Sequence, residues 1–325
     1  MRFLILTDHR GHSDQNSLYA LARTLVSDPR ADVVLVASRG NSANDSFFAG
    51  ELSAALAVTP ATANFAYDPT GRQFTQTLLF TTLTAADVVW LRLPPPAEGP
   101  FFTALSYLAP ASSPRIINDP AGVLLTGNKA FLLNFPEWTP PTLRAQTAAE
   151  LRAFAEHHPL VLKPLTEYGG RGLVRIREGR VETDGRSYPL DDWLVGTDPA
   201  DYLAMQYLKN VTEGDKRILV VNGRILGASL RLPAPGEWLC NVARGGTSIL
   251  AEVSERERAM VAAITPTLLR HGVVFCGIDT LTDDDGQRVL SEINTTSIGG
   301  FPQAEAQTGR PVLQQTIDEL FAYLA

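Results

Sequence analysis

The feature that most constrains this chain is a change in the way its apolar segments follow one another. Up to about residue 118, short β-branched runs alternate with a helical pattern, whereas from Leu160 onward apolar runs are joined by glycine turns. Arg2–Thr7, Asp32–Ala37 and Asp87–Leu93 read as strands. Between the first two, Leu18, Leu21, Ala22, Leu25 and Val26 keep helical spacing in a helix expected to start near Ser13. That order predicts a parallel α/β unit with right-handed crossovers. Pro94-Pro95-Pro96 ends the third strand, because proline cannot continue a ladder. Ile116-Ile117 is a further short strand.

Asn118-Asp119-Pro120 should cap a helix running to about Phe135, and Ala148–His157 a second one. The segment Lys216–Leu230 predicts a hairpin, since two apolar runs flank Asn222-Gly223, the pair that favours a type I′ turn. Ser254 and Glu257 have capping-box spacing at the start of a long helix. Pro266 should kink or split that helix. Val273–Thr280 and Val289–Ile293 form a second hairpin around Asp283-Asp284-Asp285-Gly286, and Val312–Leu324 a closing helix. The fold class is therefore α/β, turning to α+β with antiparallel strands in the C-terminal part.

Composition sets limits on function. With 325 residues and 45% hydrophobic content, the chain can bury a large core in two or three units. No apolar run approaches the ~18 residues that span a bilayer, and the first strand reaches Asp8 too soon for a secretory signal. The expected setting is the cytoplasm, away from membranes. A net charge of -7 argues against nonspecific nucleic-acid binding. Two cysteines, Cys240 and Cys276, exclude a disulfide framework, and neither has the histidine partner of a nucleophile. Of 28 basic residues only Lys129, Lys163, Lys209 and Lys216 are lysines. A lysine kept in so arginine-rich a chain can mark a place that needs a compact ammonium. It can equally be a chance survivor.

Three clusters carry chemistry. Glu292 and Asn294, two apart on a predicted strand, face one side, and Asp279 lies on the partner strand. Two carboxylates and an amide are hard oxygen ligands that suit magnesium. The same residues would also make the polar face of a solvated hairpin, although the apolar neighbours Phe275, Ile278, Leu290 and Ile293 favour a buried sheet. Lys163 ends an apolar strand and precedes Gly169, Gly170 and Gly172, whose backbone can wrap phosphate oxygens. The spacing is not that of a Walker loop, and a plain hairpin is the competing reading. Arg217 and Arg231 lie on neighbouring strands, placed to meet an anionic substrate or a surface acid. His9 and His12 flank the end of the first strand and read as a substrate-facing loop. His157, His158 and His271 read as helix-end residues.

In order and spacing, these motifs resemble those of bacterial glutathione synthetases and their ATP-grasp relatives over roughly residues 87–325. The resemblance rests on Leu162-Lys163-Pro164-Leu165, on Gly214-Asp215-Lys216-Arg217-Ile218-Leu219, and on Gly277-Ile278-Asp279 with Glu292-Ile293-Asn294-Thr295-Thr296-Ser297. Asn128-Lys129 and Arg92 with its prolines match in place.

The resemblance implies an ATP-grasp fold: an N-terminal parallel α/β domain (1–118), a central lid subdomain (119–202) and a C-terminal subdomain (203–325), with ATP clamped between two antiparallel sheets. It implies that Lys129 and Lys163 hold the phosphates under a lid at Gly169, Gly170 and Gly172. It places adenine at Gln206, Tyr207 and Leu208, bound mainly through backbone, with Asp215 as the acid of that region. Asp279, Glu292 and Asn294 would bind two magnesium ions, with manganese an acceptable substitute. Arg217 and Arg231 would be catalytic, steadying the carboxylate and its acyl phosphate. Arg92, Asn241, Arg244, Ser297, Gly299 and Gly300 would meet the substrates.

The implied activity is ATP-dependent ligation of an acid to an amine by a homo-oligomer, with γ-glutamylcysteine and glycine or a related pair as substrates. A small-molecule kinase, or an ATP-binding protein without catalysis, is the alternative. The chain departs from the family in two places. Leu239-Cys240 stands where the family has Arg-Gly before the asparagine matching Asn241, and Ile298-Gly299-Gly300-Phe301 follows Ser297 where Pro-Thr-Cys is usual. Both lie in regions expected to meet substrates.

Overall fold

The computed structural model describes residues 1–76, 79–108, 114–183, 185–234 and 247–325. Asn241, Arg244 and Leu239-Cys240 lie outside them. Three sheets organise the fold.

The first contains β1 (Arg2–Thr7), β2 (Val33–Ser38), β3 (Leu56–Pro60), β4 (Leu79–Thr81), β5 (Val88–Arg92) and β6 (Arg115–Ile117), in the order β4-β3-β2-β1-β5-β6. β2, β1, β5 and β6 are parallel, as the strand–helix alternation predicts; β3 and β4 add an antiparallel edge. Phe3 and Ile5 of β1 enter one core, Leu4 and Leu6 another. A strand buried on both faces reads as a continuous apolar run, which is why β1 shows no alternation. The helix after β1 covers Ser17–Ser27, four residues later than expected. Asn16 supplies its N-cap by accepting a bond from the Leu18 amide.

The helix expected to reach Phe135 breaks. It spans Pro120–Thr126, and a 3-10 turn follows over Lys129–Asn134. Asn128 restarts the chain by capping Ala130. A Cβ on Gly127 would lie 2.7 Å from the Val123 oxygen and 3.0 Å from the Tyr168 hydroxyl, so this approach requires glycine. The break turns Lys129 toward the second sheet, where its amide bonds the Leu165 carbonyl at 2.9 Å.

The second sheet holds β7 (Thr142–Leu143), β8 (Leu160–Pro164), β9 (Val174–Arg177), β10 (Arg180–Thr183), β11 (Arg186–Pro189) and β12 (Tyr202–Gln206), in the order β11-β10-β9-β8-β12-β7. The third holds β13 (Asp215–Val221), β14 (Arg224–Leu232), β15 (Thr247–Leu250), β16 (Phe275–Thr282) and β17 (Arg288–Asn294), in the order β15-β14-β13-β16-β17. The pairings of both are antiparallel. Asn222 and Gly223 both have positive φ, 48° and 78°, as a type I′ turn requires.

Behind the third sheet, the capping box of Ser254 and Glu257 starts a helix over Glu255–Arg270. Pro266 does not split it. Pro266 and Ala262, whose carbonyl loses its partner, both lie on the exposed face, where water can satisfy the oxygen. The closing helix Val312–Leu324 buries Val312, Ile317, Leu320 and Leu324 in the shared core. Among the described residues, no helix is long and apolar enough to cross a membrane.

Candidate active site

Strand periodicity builds the site. On β8, Leu160 and Leu162 point into the core of the second sheet, leaving Val161 and Lys163 on the opposite face. On β12, Ala204 joins that core while Met205 faces across. The third sheet supplies the facing wall: Asp215 and Arg217 on β13, Arg231 on β14, Asp279 and Leu281 on β16. Together these enclose a cleft of about 350 Å³. The cleft runs between the second and third sheets.

A β-bulge sets its floor. Asp279 pairs with Glu292, but Thr280 pairs with Leu290, so Ser291 is the extra residue. Ser291, Glu292 and Asn294 all line the cleft as a result. Ser291 receives the Lys163 ammonium, through its carbonyl at 2.9 Å and its hydroxyl at 3.0 Å. Burial holds the Lys163 pKa below its ordinary value, and nearby Glu292 acts against that shift. The Lys129 ammonium lies 3.3 Å from Glu292 Oε1, donates to the Glu167 carbonyl, and sits 4.8 Å from the centre of the Tyr168 ring.

Asp279 is 1% exposed. Its carboxylate accepts Arg217 Nε at 2.8 Å and Nη2 at 2.6 Å, Arg231 Nη2 at 2.8 Å and the Asn294 amide at 3.0 Å. Burial pushes its pKa up, but Arg217 and Arg231 outweigh burial, and the net shift is downward. Arg231 also donates to Asp215. The Asp215 pKa is pushed up to about 6, by burial first and then by Asp279. Two buried polar atoms here have no hydrogen-bond partner, Asp215 Oδ1 and Arg231 Nε.

The expected residues fall into three groups. Lys129, Lys163, Gly169, Gly170, Gln206, Tyr207, Leu208, Asp215, Arg217, Arg231, Asp279, Glu292, Asn294 and Ser297 all line the cleft. Gly172 does not: its φ is +65° and it packs against Pro164, shaping the turn from behind. Arg92, Gly299 and Gly300 do not line it either; Arg92 donates to the carbonyl of Ile298, which does. The Gln206 and Tyr207 amides already bond the Pro141 and Pro159 carbonyls. Any backbone contact these two make with a base therefore runs through their own carbonyl oxygens.

Several lining residues have no signature in the sequence. Ser291 becomes a lysine seat only through the bulge. Tyr168 bonds the Gly127 carbonyl at 2.9 Å, and burial pushes its pKa up to about 12. Val161, Met205, Leu208, Val211 and Leu281 give one part of the cleft an apolar lining suited to a flat base. The cross-sheet alternation of β8 and β12 was the signal available for the first two.

The site's chemistry fits a nucleoside triphosphate with a divalent ion. Two ammonium groups and glycines with φ of +67° and +73° at Gly169 and Gly170 suit phosphate. Glu292 opposite Asp279, with Asn294, supplies oxygen donors. Among the described residues no three His, Cys, Asp or Glu side chains form a cage of their own. A set of two carboxylates and an amide suits an ion that keeps waters and phosphate oxygens in its shell.

Comparison with known proteins agrees. The model of the family "Prokaryotic glutathione synthetase, ATP-grasp domain" matches residues 128–309. The glutathione synthetase of Parasynechococcus marenigrum (strain WH8102) is 37% identical over 242 residues, 74% of this chain and 76% of that protein. The one of Bradyrhizobium diazoefficiens is 35% identical over 231 residues, 70% of each. In fold, the chain resembles D-cycloserine synthetase DcsG, with a TM-score of 0.64 and 12% identity over 100% of both chains. It also resembles the macrocyclase MdnC from Microcystis aeruginosa, with a TM-score of 0.59 and 15% identity over 99% of each. The chain belongs to the prokaryotic glutathione synthetase family of ATP-grasp proteins, ATP-dependent carboxylate–amine ligases that use a divalent metal and small-molecule substrates.

Proposed function

We propose that this ligase joins γ-glutamylcysteine to glycine. The observation that carries the reading is the convergence, between two antiparallel sheets, of Lys129 and Lys163 with Arg217, Arg231, Asp279 and Glu292. In the reaction the cysteinyl carboxylate oxygen bonds to the γ-phosphorus of ATP, the bond to the β–γ bridging oxygen breaks, and ADP leaves an acyl phosphate behind. The glycine nitrogen then bonds to the acyl carbon, phosphate leaves, and the amine gives up a proton.

Lys129 and Lys163 offset charge on the phosphates in this reading. A divalent ion held by Asp279, Glu292 and Asn294 would neutralise the rest. We assign two magnesium ions to this set, with manganese as a working substitute. Lys129 now faces Glu292 at 3.3 Å, so a phosphate and an ion would take over one partner each. The free Arg231 Nε is the donor we assign to the developing oxyanion. Tyr168, Gly169 and Gly170 close over the phosphates and keep water from the acyl phosphate. Asn241, Arg244 and Ser297 are assigned to substrate contacts. The enzyme acts in the cytoplasm as a homo-oligomer in this reading.

The test is ADP release with Mg-ATP, γ-glutamylcysteine and glycine, each omitted in turn. Turnover should need all three. ADP formed with the acid alone, together with a stable phosphorylated product, would favour a kinase.

A further inference from the structure

Three contacts tie the start of the 3-10 turn at Lys129 to the loop between β8 and β9. The Lys129 amide donates to the Leu165 carbonyl at 2.9 Å, its ammonium donates to the Glu167 carbonyl, and the Tyr168 hydroxyl donates to the Gly127 carbonyl at 2.9 Å. The centre of the Tyr168 ring then lies 4.8 Å from the Lys129 nitrogen. Both residues line the cleft, and the lysine is 8% exposed. Away from water, the negative face of a ring attracts an ammonium more strongly than it does at an open surface. The hydroxyl bond fixes where that face stands, because the tyrosine is held by its backbone in the loop and by its tip on Gly127. Gly127 complements the arrangement: a Cβ there would lie 3.0 Å from the hydroxyl.

The neighbours of Lys129 differ in what a nucleotide would do to them. Glu292, 3.3 Å away, is an acid, so it cancels the charge and competes with a phosphate for it. A neutral aromatic face orients the cation and leaves its charge in place. The hydroxyl bond to Gly127 uses no group that a phosphate or a divalent ion would claim. Tyr168 is therefore a neighbour that can hold Lys129 both before and after a nucleotide arrives. It also precedes Gly169 directly, so swinging the loop away takes the ring off the lysine.

We infer that Tyr168 is a positioning residue for Lys129. Its hydroxyl, anchored on Gly127, sets the ring that aims the ammonium at a phosphate, and loop closure and placement of that charge become one event. The inference rests on the reading of Lys129 as a phosphate ligand, and deepens it. The same anchor keeps the loop shut over the acyl phosphate.

The test is a double-mutant cycle on Mg-ADP affinity, read by titration of the full chain without turnover. Tyr168→Leu removes ring and hydroxyl and should weaken binding about 10- to 30-fold. Tyr168→Phe keeps the ring and should lose only about threefold, the worth of one neutral hydrogen bond. In a Lys129→Met background, Tyr168→Leu should change affinity less than about twofold, because the tyrosine acts through the lysine. Parent-like affinity in Tyr168→Leu would overturn the inference. So would an undiminished loss in the Lys129→Met background, or a loss in Tyr168→Phe as large as in Tyr168→Leu, since the ring would then contribute nothing. If Lys129→Met alone binds Mg-ADP as the parent does, the phosphate reading of Lys129 fails and the inference falls with it. If Lys129→Met weakens binding and Tyr168→Leu does not, only the inference falls.

A second readout follows the products. With Mg-ATP, γ-glutamylcysteine and glycine, ADP and peptide should form one to one in the parent protein. In Tyr168→Phe and Tyr168→Leu, ADP should exceed peptide, because water reaches the acyl phosphate and returns it to carboxylate and free phosphate. A one-to-one ratio in both variants overturns the role of the anchor in closure. A parent protein that does not turn over this pair ends the glutathione reading alone, and the binding cycle still decides on Tyr168.

Discussion

The Lys163 ammonium on β8 lies 2.9 Å from the carbonyl of Ser291, the bulged residue of β17. A cation of the second sheet is thus seated on an irregularity of the third, and the two walls of the cleft meet there. Lys163 makes no ion pair of its own among the described residues, while Glu292 lies close enough to act on its charge. An anion entering the cleft would find a desolvated donor already in position, at little cost in reorganisation.

Replacing Lys163 with methionine keeps the length and packing of the side chain and removes the charge. ATP affinity should weaken by at least about tenfold, the worth of one charge-assisted bond. Melting temperature should hold or rise, because a buried ammonium is removed. Nucleotide titration with thermal melting reads both. Unchanged affinity would take Lys163 out of the phosphate site.

Glu292→Gln preserves shape and removes one oxygen charge from the assigned metal set. Turnover should drop about 100-fold or more, since a bound ion supplies several kcal/mol of charge stabilisation. The magnesium needed for half-maximal rate should rise, and manganese binding followed by electron paramagnetic resonance should weaken. Full activity in this variant would move the ion elsewhere.

Asp279→Asn acts on the fold as well as the site. The buried carboxylate accepts from Arg217, Arg231 and Asn294, and its loss leaves Arg217 without a counter-ion and Arg231 with Asp215 alone. Breaking a buried ionic network of this kind costs about 3–5 kcal/mol. Urea unfolding should show that loss. An unchanged midpoint would mean the arginines reach solvent instead.

His12 gives the pH dependence a sign. Burial first, then His9, holds its folded pKa down to about 4, below the ordinary value of 6.5. The unfolded chain therefore binds the proton more readily. The contribution is fully present above about pH 6.5 and is lost as pH falls toward 4, with a slope of at most about 1.4 kcal/mol per unit. In His12→Gln the pH–stability curve should be flatter in that window. Parallel curves would show that His12 is protonated in the folded protein.

The strands β1, β2, β5, β6, β8, β13, β14, β16 and β17 and the helices Ala148–His157, Glu255–Arg270 and Val312–Leu324 were legible because each follows a local rule. Asn222-Gly223 specifies its turn, Ser254 with Glu257 caps its helix, and β1 reads as a strand from its apolar run. Where expectation and structure part, a neighbour decides. The helix after Asp119 stops at Thr126 because Gly127 must pass close to Tyr168 and Asn128 caps a new turn. Pro266 stays inside its helix because the carbonyl it leaves unpaired faces water.

The sequence by itself determined which chemistry the cleft could hold. Lys163 at the end of an apolar strand, and Glu292 and Asn294 two residues apart beside Asp279, fix charge and facing through the two-residue period of a strand. Tertiary structure decided what each of these groups meets. That Asp279 is held by two arginines, that Ser291 seats Lys163, and that Arg92 donates to the Ile298 carbonyl all depend on contacts between residues 62, 128 and 206 positions apart. No local period encodes such distances; they are set by how the three sheets pack.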